Sequence, residues 1–191
     1  RSLPGQRRPT KSRPMALLPA LPPRSMVTGN IARALIALGV IVAVDQFTKW
    51  LVVEYMNLKE IGAIDFIPFL KFRMAWNTGV NFGLLSAEDP IGRILLIAFT
   101  GGISLALLVA AMWSRRPLSA LGLGIAAGGA IGNLIDRFTY GAVADFINMS
   151  GFGIRNPWSF NVADIAIFAG FALLLWPAKK PAEVQGDPSR S

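Results

Sequence analysis

Residues 129–170 constrain the fold of this chain more than any other stretch, because they combine carboxylates with long apolar runs. Asp136, Asp145 and Asp164 lie inside or beside two runs that are apolar enough to cross a bilayer. A charged side chain at membrane depth is costly, so such residues are rare and usually functional. We therefore expect the rest of the chain to hold two of these acids face to face.

The composition of the 191 residues indicates a multi-span membrane protein with a restricted chemistry. Hydrophobic residues make up 53% and charged residues 16%, whereas about 25% of the residues of a soluble domain are charged. The chain has no Cys and no His, which excludes thiolate nucleophiles, Ser–His pairs and the usual zinc ligands. Acid–base catalysis would fall to Asp, Glu, Lys or Tyr, and we expect neither a metal nor a cofactor.

The net charge of +8 does not indicate a nucleic-acid partner. Seven of the 19 basic residues lie in the first 33 positions, and others flank the apolar runs. Basic residues at the edges of membrane spans explain this distribution. We therefore expect membrane lipid, and not nucleic acid, around the chain.

Four apolar runs predict four membrane helices, and the segment between the first two predicts a small β element outside the membrane. The runs cover residues 31–53, 94–112, 118–135 and 160–177. Between residues 54 and 90, short apolar stretches alternate with turns, which is typical of strands. Gly124, Gly128 and Gly132 recur at every fourth position of the third helix, where small residues allow close helix packing.

The ends of the chain are expected to lie outside the packed domain. Residues 1–28 are rich in Arg and Pro and predict a disordered arm, with Met15 or Met26 as alternative translation starts. Residues 29–180 form the membrane domain, and residues 181–191 a polar tail. Four spans place both termini on one side, which the basic residues there predict to be cytoplasmic. At about 1.5 Å per residue, the carboxylates of the spans then lie in or near the outer half of the membrane.

Asn161 and Asp164 have the spacing of a capping box at the start of the fourth helix. One interpretation is that Asp164 only caps this helix. The helix N-terminus also favours the ionised form of Asp164, whereas an apolar setting would favour the protonated form of a partner acid. Two acids in such contrasting environments can act as base and acid.

Asp136 and Asp145 are the two candidates for that partner acid. Asp136 precedes Arg137 and lies one turn after Asn133, which suits an anion with a structural role. Asp145 has apolar neighbours, and desolvation raises the pKa of a carboxyl group. We therefore hypothesise that Asp145 is the second catalytic acid and Asp136 a supporting residue. An ordinary loop position is the alternative interpretation of Asp145.

Two further pairs of residues are candidates for the site, although neither pair alone indicates a function. Asp45 and Lys49 lie one turn apart on the first helix, in the order that favours an ion pair. Asn77 and Gly79 lie in the outer segment, where a glycine permits a tight turn and an amide can bind a peptide main chain.

Taken together, these residues resemble the bacterial lipoprotein signal peptidases, signal peptidase II. The resemblance covers about residues 30–180. Its motifs stand in the order and spacing of that family: DQFTK at 45–49, NTGVNF at 77–82, GNLIDR at 132–137 with VADF at 143–146, and FNVAD at 160–164. Asn81 departs from the small Ala or Ser that the family commonly has at this position.

The resemblance implies an all-α membrane protein of the bacterial inner membrane, with four transmembrane helices and a small periplasmic β-cradle at about residues 54–90. It implies an aspartic endopeptidase that removes the signal peptide from prolipoproteins, cutting just before a diacylglyceryl-modified Cys. Asp145 and Asp164 would be catalytic, at the periplasmic face of a monomer. The supporting or substrate-binding residues would be Asp45, Lys49, Asn77, Gly79, Asn133, Asp136, Arg137 and Asn161.

Two other functions are compatible with some of the same residues. Intramembrane Asp and Lys also mark ion paths, so a proton-coupled carrier or channel subunit is the main alternative. Against it, the acids gather at one face of the membrane and no inverted repeat is visible. A Ser–Lys peptidase built on Lys49 would need a nearby serine, for which Ser86 and Ser159 are candidates by location.

Overall fold

The computed structural model describes residues 23–80, 85–86 and 90–177, which form five α-helices and six strands. The helices are α1 (Arg24–Trp50, continued by a π-helical turn, Leu51–Tyr55), α2 (Leu58–Ile61), α3 (Pro90–Trp113), α4 (Pro117–Thr139) and α5 (Val162–Leu175). The strands are β1 (Ala63–Ile67), β2 (Leu70–Asn77), β3 (Gly79–Val80), β4 (Leu85–Ser86), β5 (Val143–Asn148) and β6 (Ser159–Phe160).

The long apolar helices confirm the prediction of a mostly helical membrane protein with a small sheet. In the described part of the chain, three helices are long and apolar enough to cross a membrane: Arg24–Tyr55, Pro90–Trp113 and Pro117–Thr139. α5 is also apolar but has 14 residues, and its length of about 21 Å is less than a hydrocarbon core of about 30 Å. A full membrane span for α5 therefore stays a prediction.

α4 lies at the centre of the bundle and packs against α1, α3 and α5. A Cβ atom on Gly124 would collide with the backbone of Ala34 in α1, and a Cβ atom on Gly132 would collide with the carboxylate of Asp45. The predicted stripe of small residues is thus confirmed as the surface on which α1 approaches α4. It also brings Asp45 against the end of α4 that carries the polar residues.

A four-stranded antiparallel sheet covers that end of the bundle. Its strand order is β1-β2-β5-β6, so β5 is a central strand, and the short strands β3 and β4 pair separately. β5 follows α4 and β6 leads into α5, which fixes the ends of both helices to the sheet. A small core joins the sheet to the π-helical turn and α2, and its buried members are Val52, Leu58 and Phe146.

The structure differs from the predicted boundaries at three places. α1 begins at Arg24, directly after Pro23, so residues 24–28 of the predicted arm are helical. Asp145 lies on a strand and not in a loop, and β6 occupies the predicted start of the fourth helix. β5 forms by pairing with β2, which is distant in sequence, and no local pattern predicts such pairing. Residues 1–22, Asn81 and residues 178–191 lie outside the described residues.

Candidate active site

Asp145 lies on β5, which is mostly buried because it is central in the sheet and faces the bundle. Asp145 itself is 4% exposed. Its carboxylate accepts two hydrogen bonds from amides: Asn161 Nδ2 lies 2.7 Å from Oδ1, and Asn77 Nδ2 lies 3.1 Å from Oδ2. Among the described residues, no cation forms an ion pair with it. Asp145 is therefore a desolvated acid held by neutral donors.

Asn77 reaches Asp145 because the chain turns sharply at the end of β2. Asn77 Oδ1 accepts a hydrogen bond from the backbone N–H of Gly79 at 3.1 Å. Gly79 has a φ of 114°, a conformation that residues with a Cβ atom rarely adopt. Because Gly79 holds the amide oxygen, the amide nitrogen of Asn77 is directed to the carboxylate.

Asp164 lies, half-buried, in the first turn of α5. The predicted capping box is present: Asn161 Oδ1 accepts from the backbone N–H of Asp164 at 2.9 Å, and Asp164 Oδ2 accepts from the backbone N–H of Asn161 at 3.2 Å. The other oxygen of Asp164 accepts from Asn133 Nδ2 at 2.9 Å. Since α4 holds this second oxygen, Asp164 does more than cap its own helix.

Asn161 connects the two carboxylates, which we refer to as the acid pair. This fully buried residue donates from its side chain to Asp145 and from its backbone to Asp164. The same side-chain nitrogen lies 3.0 Å from Asn133 Oδ1 and 3.3 Å from the carbonyl oxygen of Ala144. One asparagine thus brings Asp145 and Asp164 together.

The two members of the acid pair have different environments. Burial raises the pKa of Asp145 from its ordinary value to about 7, and the negative charge of Asp164 contributes to the increase. Hydrogen bonds from Asn77 and Asn161 act in the opposite direction. Asp164 is more exposed than Asp145 and lies in the first turn of a helix. The pair can therefore hold one proton near neutral pH, as acid–base catalysis by two carboxylates requires.

A second group of charged residues lies beside the acid pair and is buried. Lys49 Nζ lies 2.8 Å from Asp45 Oδ2 and 2.8 Å from Asp136 Oδ2. It also donates to Asn133 Oδ1 at 3.0 Å. The predicted ion pair of Asp45 and Lys49 is confirmed, with Asp136 as an additional partner. We refer to Asp45, Lys49 and Asp136 as the buried cluster.

Asp136 fixes the start of β5. Its Oδ2 accepts from the backbone N–H of Ala144 at 3.0 Å. The cation in the ion pair of Asp136 is Lys49, whereas the neighbouring Arg137 interacts with Asp136 through its charge and donates to the carbonyl oxygen of Asn133 at 3.2 Å. Adjacent helical residues point about 100° apart, so Arg137 does not face the groups that Asp136 faces.

Gln46 is hydrogen-bonded to both aspartates of the buried cluster, although the sequence analysis did not name it as a site residue. Its Nε2 lies 3.0 Å from Asp136 Oδ1, 3.2 Å from Asp45 Oδ2 and 3.2 Å from the carbonyl oxygen of Gly132. The remaining Asp45 oxygen accepts from the backbone N–H of Ala163 at 2.9 Å, which ties α1 to the start of α5. The position of Gln46 within the DQFTK motif is the one signal that pointed to it.

Two clefts open onto the acid pair. The first has a volume of about 300 Å³ and lies between the sheet and the segment before β6, with Asp145 in its wall. Its other lining residues are Ala75, Trp76, Asn77, Thr78, Gly79, Pro157, Trp158 and Ser159. The second, of about 520 Å³, begins at Asp164 and follows the apolar face of α5; it is lined by Phe160, Ile165, Phe168, Ala169 and Ala172. This arrangement suits a substrate with one polar and one apolar part.

The contacts of Lys49 do not support a Ser–Lys pair. In the described part of the chain, its recorded partners are two carboxylates and the amide of Asn133. The hydroxyl of Ser159 donates instead to the carbonyl oxygen of Arg73 at 3.4 Å, and Ser86 lies on β4 in the separate hairpin.

Comparison with known proteins gives one family and several relatives that match most of the chain. The pattern of the family described as signal peptidase (SPase) II matches residues 36–178. The lipoprotein signal peptidase of Rhodopseudomonas palustris is 41% identical over 143 residues, which cover 72% of this chain and 85% of that protein. The lipoprotein signal peptidase of Nitrobacter hamburgensis is 38% identical over 161 residues, covering 81% of this chain and 92% of that protein.

Solved structures show the same fold. Two structures described as a bacterial membrane enzyme, at 2.3 Å and 1.9 Å resolution, superpose with TM-scores of 0.61 and 0.62. Both are 26% identical in sequence and match 74% of this chain, covering 84% and 88% of the solved chains.

Proposed function

The chain belongs to the signal peptidase II family, and we propose that it removes the signal peptide of prolipoproteins as an aspartic endopeptidase whose catalytic residues are Asp145 and Asp164. The observation that carries the proposal is the pairing of these carboxylates on Asn161, one of them buried and held by amides and the other at a helix start. The protease function follows from the family, and the aspartic mechanism is the proposal.

In the proposed reaction, the ionised Asp164 takes a proton from a water molecule, whose oxygen attacks the scissile carbonyl carbon. Asp145 donates its proton to the carbonyl oxygen, which gives a neutral tetrahedral intermediate. The intermediate collapses when the C–N bond breaks and a proton passes to the leaving nitrogen, producing a carboxyl group and an amine. The two acids titrate as a coupled pair, so the proton belongs to the pair between these steps.

The neighbouring amides would hold the acid pair in position. Asn133 Oδ1 accepts from both Lys49 and Asn161, which directs its nitrogen to Asp164. Through this contact the buried cluster supports the orientation of Asp164. Asn77 and Gly79 would supply the corresponding support for Asp145, at the wall of the cleft that takes the peptide.

The clefts suggest how the substrate lies. We propose that the peptide bond before a diacylglyceryl-modified Cys enters the polar cleft at Asp145, while apolar parts of the substrate follow the groove on α5. The enzyme would act as a monomer in the inner membrane, with the acid pair at the periplasmic face. Arg24, Arg33, Arg115 and Arg116 lie at the opposite end of the helices, which supports cytoplasmic termini.

Cleavage of a synthetic prolipoprotein by the purified chain tests this function. Wild type should cut the diacylglyceryl-modified substrate, and Asp164→Asn should lose activity while it still folds, because Asn is a good N-cap residue. Asp65→Asn is the matched control, since Asp65 is an exposed carboxylate paired with Lys71 at 2.9 Å. Substantial activity of Asp164→Asn would remove Asp164 from the mechanism and leave only its capping role.

A further inference from the structure

We infer that a groove between α1 and α4, at the end of the bundle opposite the acid pair, binds one anionic phospholipid, with its phosphate on Arg33 and an acyl chain in the groove. This site is separate from the peptidase reaction, and its occupant is a lipid of the surrounding bilayer.

The groove has a volume of about 370 Å³ and aliphatic walls with a single cation. It is lined by Arg33, Ile36, Ala37, Val40, Ile41, Leu121 and Ile125. Ile36 and Val40 are 68% and 55% exposed, and exposed aliphatic residues on a membrane helix contact lipid. The helix backbones are close together here, since a Cβ atom on Gly128 would meet Leu38 and Ile41. The larger side chains of α1 and α4 beside this close contact therefore leave a groove that an acyl chain can fill.

Arg33 places a positive charge at one end of this groove. Its guanidinium group turns back toward the start of α1, where Nη1 donates to Asn30 Oδ1 at 3.2 Å and lies over Gly29. Basic side chains near the end of a membrane helix extend to the headgroup region in this way. A guanidinium group has five N–H donors, and the bond to Asn30 uses one of them.

Arg33 is also oriented before any ligand binds. Asn30 is fully buried, and its Nδ2 donates to the carbonyl oxygen of Ser114, which follows α3, at 2.5 Å. Through Asn30, the turn between α3 and α4 therefore holds the guanidinium group in place. A preorganised planar donor group loses less entropy when it binds a phosphate than a free surface side chain does.

Charge and shape together select an anionic phospholipid. The lipid phosphate complements the guanidinium group, and the chain attached to it is the part that fits aliphatic walls. Arg24, Arg115 and Arg116 lie at the same end of the bundle, and such a basic cluster attracts lipids with net negative charge. A zwitterionic lipid has the same chains without the net charge, so it serves as the comparison.

Native mass spectrometry of the full chain in detergent tests the site. The protein is titrated with phosphatidylglycerol or phosphatidylcholine of identical acyl chains, and the first bound lipid is quantified. Wild type should retain phosphatidylglycerol in preference to phosphatidylcholine. Arg33→Gln should weaken the binding of phosphatidylglycerol about fivefold. Arg24→Gln is the matched control, because it removes the same charge at the same end outside the groove, and it should have little effect. Val40→Trp, which fills the groove, should weaken both lipids.

The variants also define what would overturn the proposal. Equal losses in Arg33→Gln and Arg24→Gln would show attraction to the general surface charge and no specific site. Equal retention of the two lipids by wild type, or normal binding by Val40→Trp, would also contradict it. Arg33→Lys keeps the charge but not the planar donor group held by Asn30, so it should retain only part of the preference; if Arg33→Gln does not fold, an unchanged preference in Arg33→Lys would contradict the proposal. Binding is read without turnover, so an error in the catalytic assignment leaves this result unaffected.

Discussion

The acid pair and the buried cluster each contain two aspartates, yet the groups around those aspartates differ. In the buried cluster, Asp45 and Asp136 share the ammonium group of Lys49, and both are fully buried. In the acid pair, Asp145 and Asp164 share Asn161, and both line clefts. A cation between two carboxylates stabilises both charges, whereas a neutral amide leaves them to repel each other.

In the proposed mechanism, this difference separates a structural role from a chemical one. A carboxylate that is held in a buried ion pair belongs to a structural network, because removing one partner leaves the other charge unpaired. A carboxylate that is desolvated beside a like charge binds a proton near neutral pH, and the cleft gives that proton a path to a substrate. The same residue type thus serves in both regions, and its partners decide which role it takes.

The largest expected effect comes from removing one carboxylate from each of the two regions and comparing the results. Asp145→Asn should lower kcat roughly 10³–10⁴-fold, with KM little changed and no loss of thermal stability. Asp136→Asn removes one of the two carboxylates paired with Lys49 and disturbs the contact with the backbone N–H of Ala144, so it should lower stability by about 1–3 kcal/mol. Turnover assays beside melting curves test both expectations. A stable but inactive Asp136→Asn, together with an active Asp145→Asn, would reverse the assignment.

Lys49→Met is the next largest change, because it leaves two buried carboxylates without their cation. We expect it to destabilise the protein by about 3–5 kcal/mol. Lys71→Met removes a lysine from the exposed pair with Asp65 and should cost no more than about 1 kcal/mol. A double-mutant cycle of Lys49→Met and Asp45→Asn should show coupling, and full additivity would exclude the ion pair as a source of stability.

The pH dependence sharpens the contrast between the two regions. Asp145 must be protonated to donate, so kcat/KM should fall about tenfold per unit above a pH of about 7. Its raised pKa has a parallel consequence for folding, since the stabilising contribution of the proton is present at low pH and is lost as pH rises to about 7. Asp145→Asn should therefore become the more stable protein above pH 7, as chemical unfolding at several pH values would show.

The smallest effect is expected at Asn77, which supports Asp145 through one hydrogen bond. Asn77→Ala should lower kcat about tenfold and move the alkaline limb of the pH profile to higher pH, because this bond lowers the pKa of Asp145. Thr78→Ala, in the same cleft, is the control and should leave the limb in place. A loss of activity without a shift of the limb would indicate a role in substrate binding alone.

The sequence predicted those parts of the site that depend on neighbours along one helix. The capping box of Asn161 and Asp164 and the pair of Asp45 and Lys49 follow from spacings of three and four residues, which are fixed by helix geometry. The apolar runs predicted the helices for a similar reason, since bilayer thickness sets their length.

The remaining parts depend on contacts between segments that are distant in sequence. β5 is a strand because β2 pairs with it, and its own residues, VADFIN, gave no sign of the pairing. Lys49 reaches Asp136 only because glycines bring α1 against α4. The apolar neighbours of Asp145 and the family resemblance both indicated it as a catalytic candidate, but its hydrogen bonds to amides and its place in a sheet came from the structure.

The central claim is that Asp145 carries a proton that it loses near pH 7. Infrared difference spectroscopy of the purified chain, titrated between pH 5 and pH 9, observes protonated carboxyl groups directly through their C=O stretch. A band that disappears with a midpoint of about pH 7, is absent from Asp145→Asn and persists in Asp136→Asn would agree with the claim. A titrating band that persists in Asp145→Asn and is lost in Asp136→Asn would contradict it.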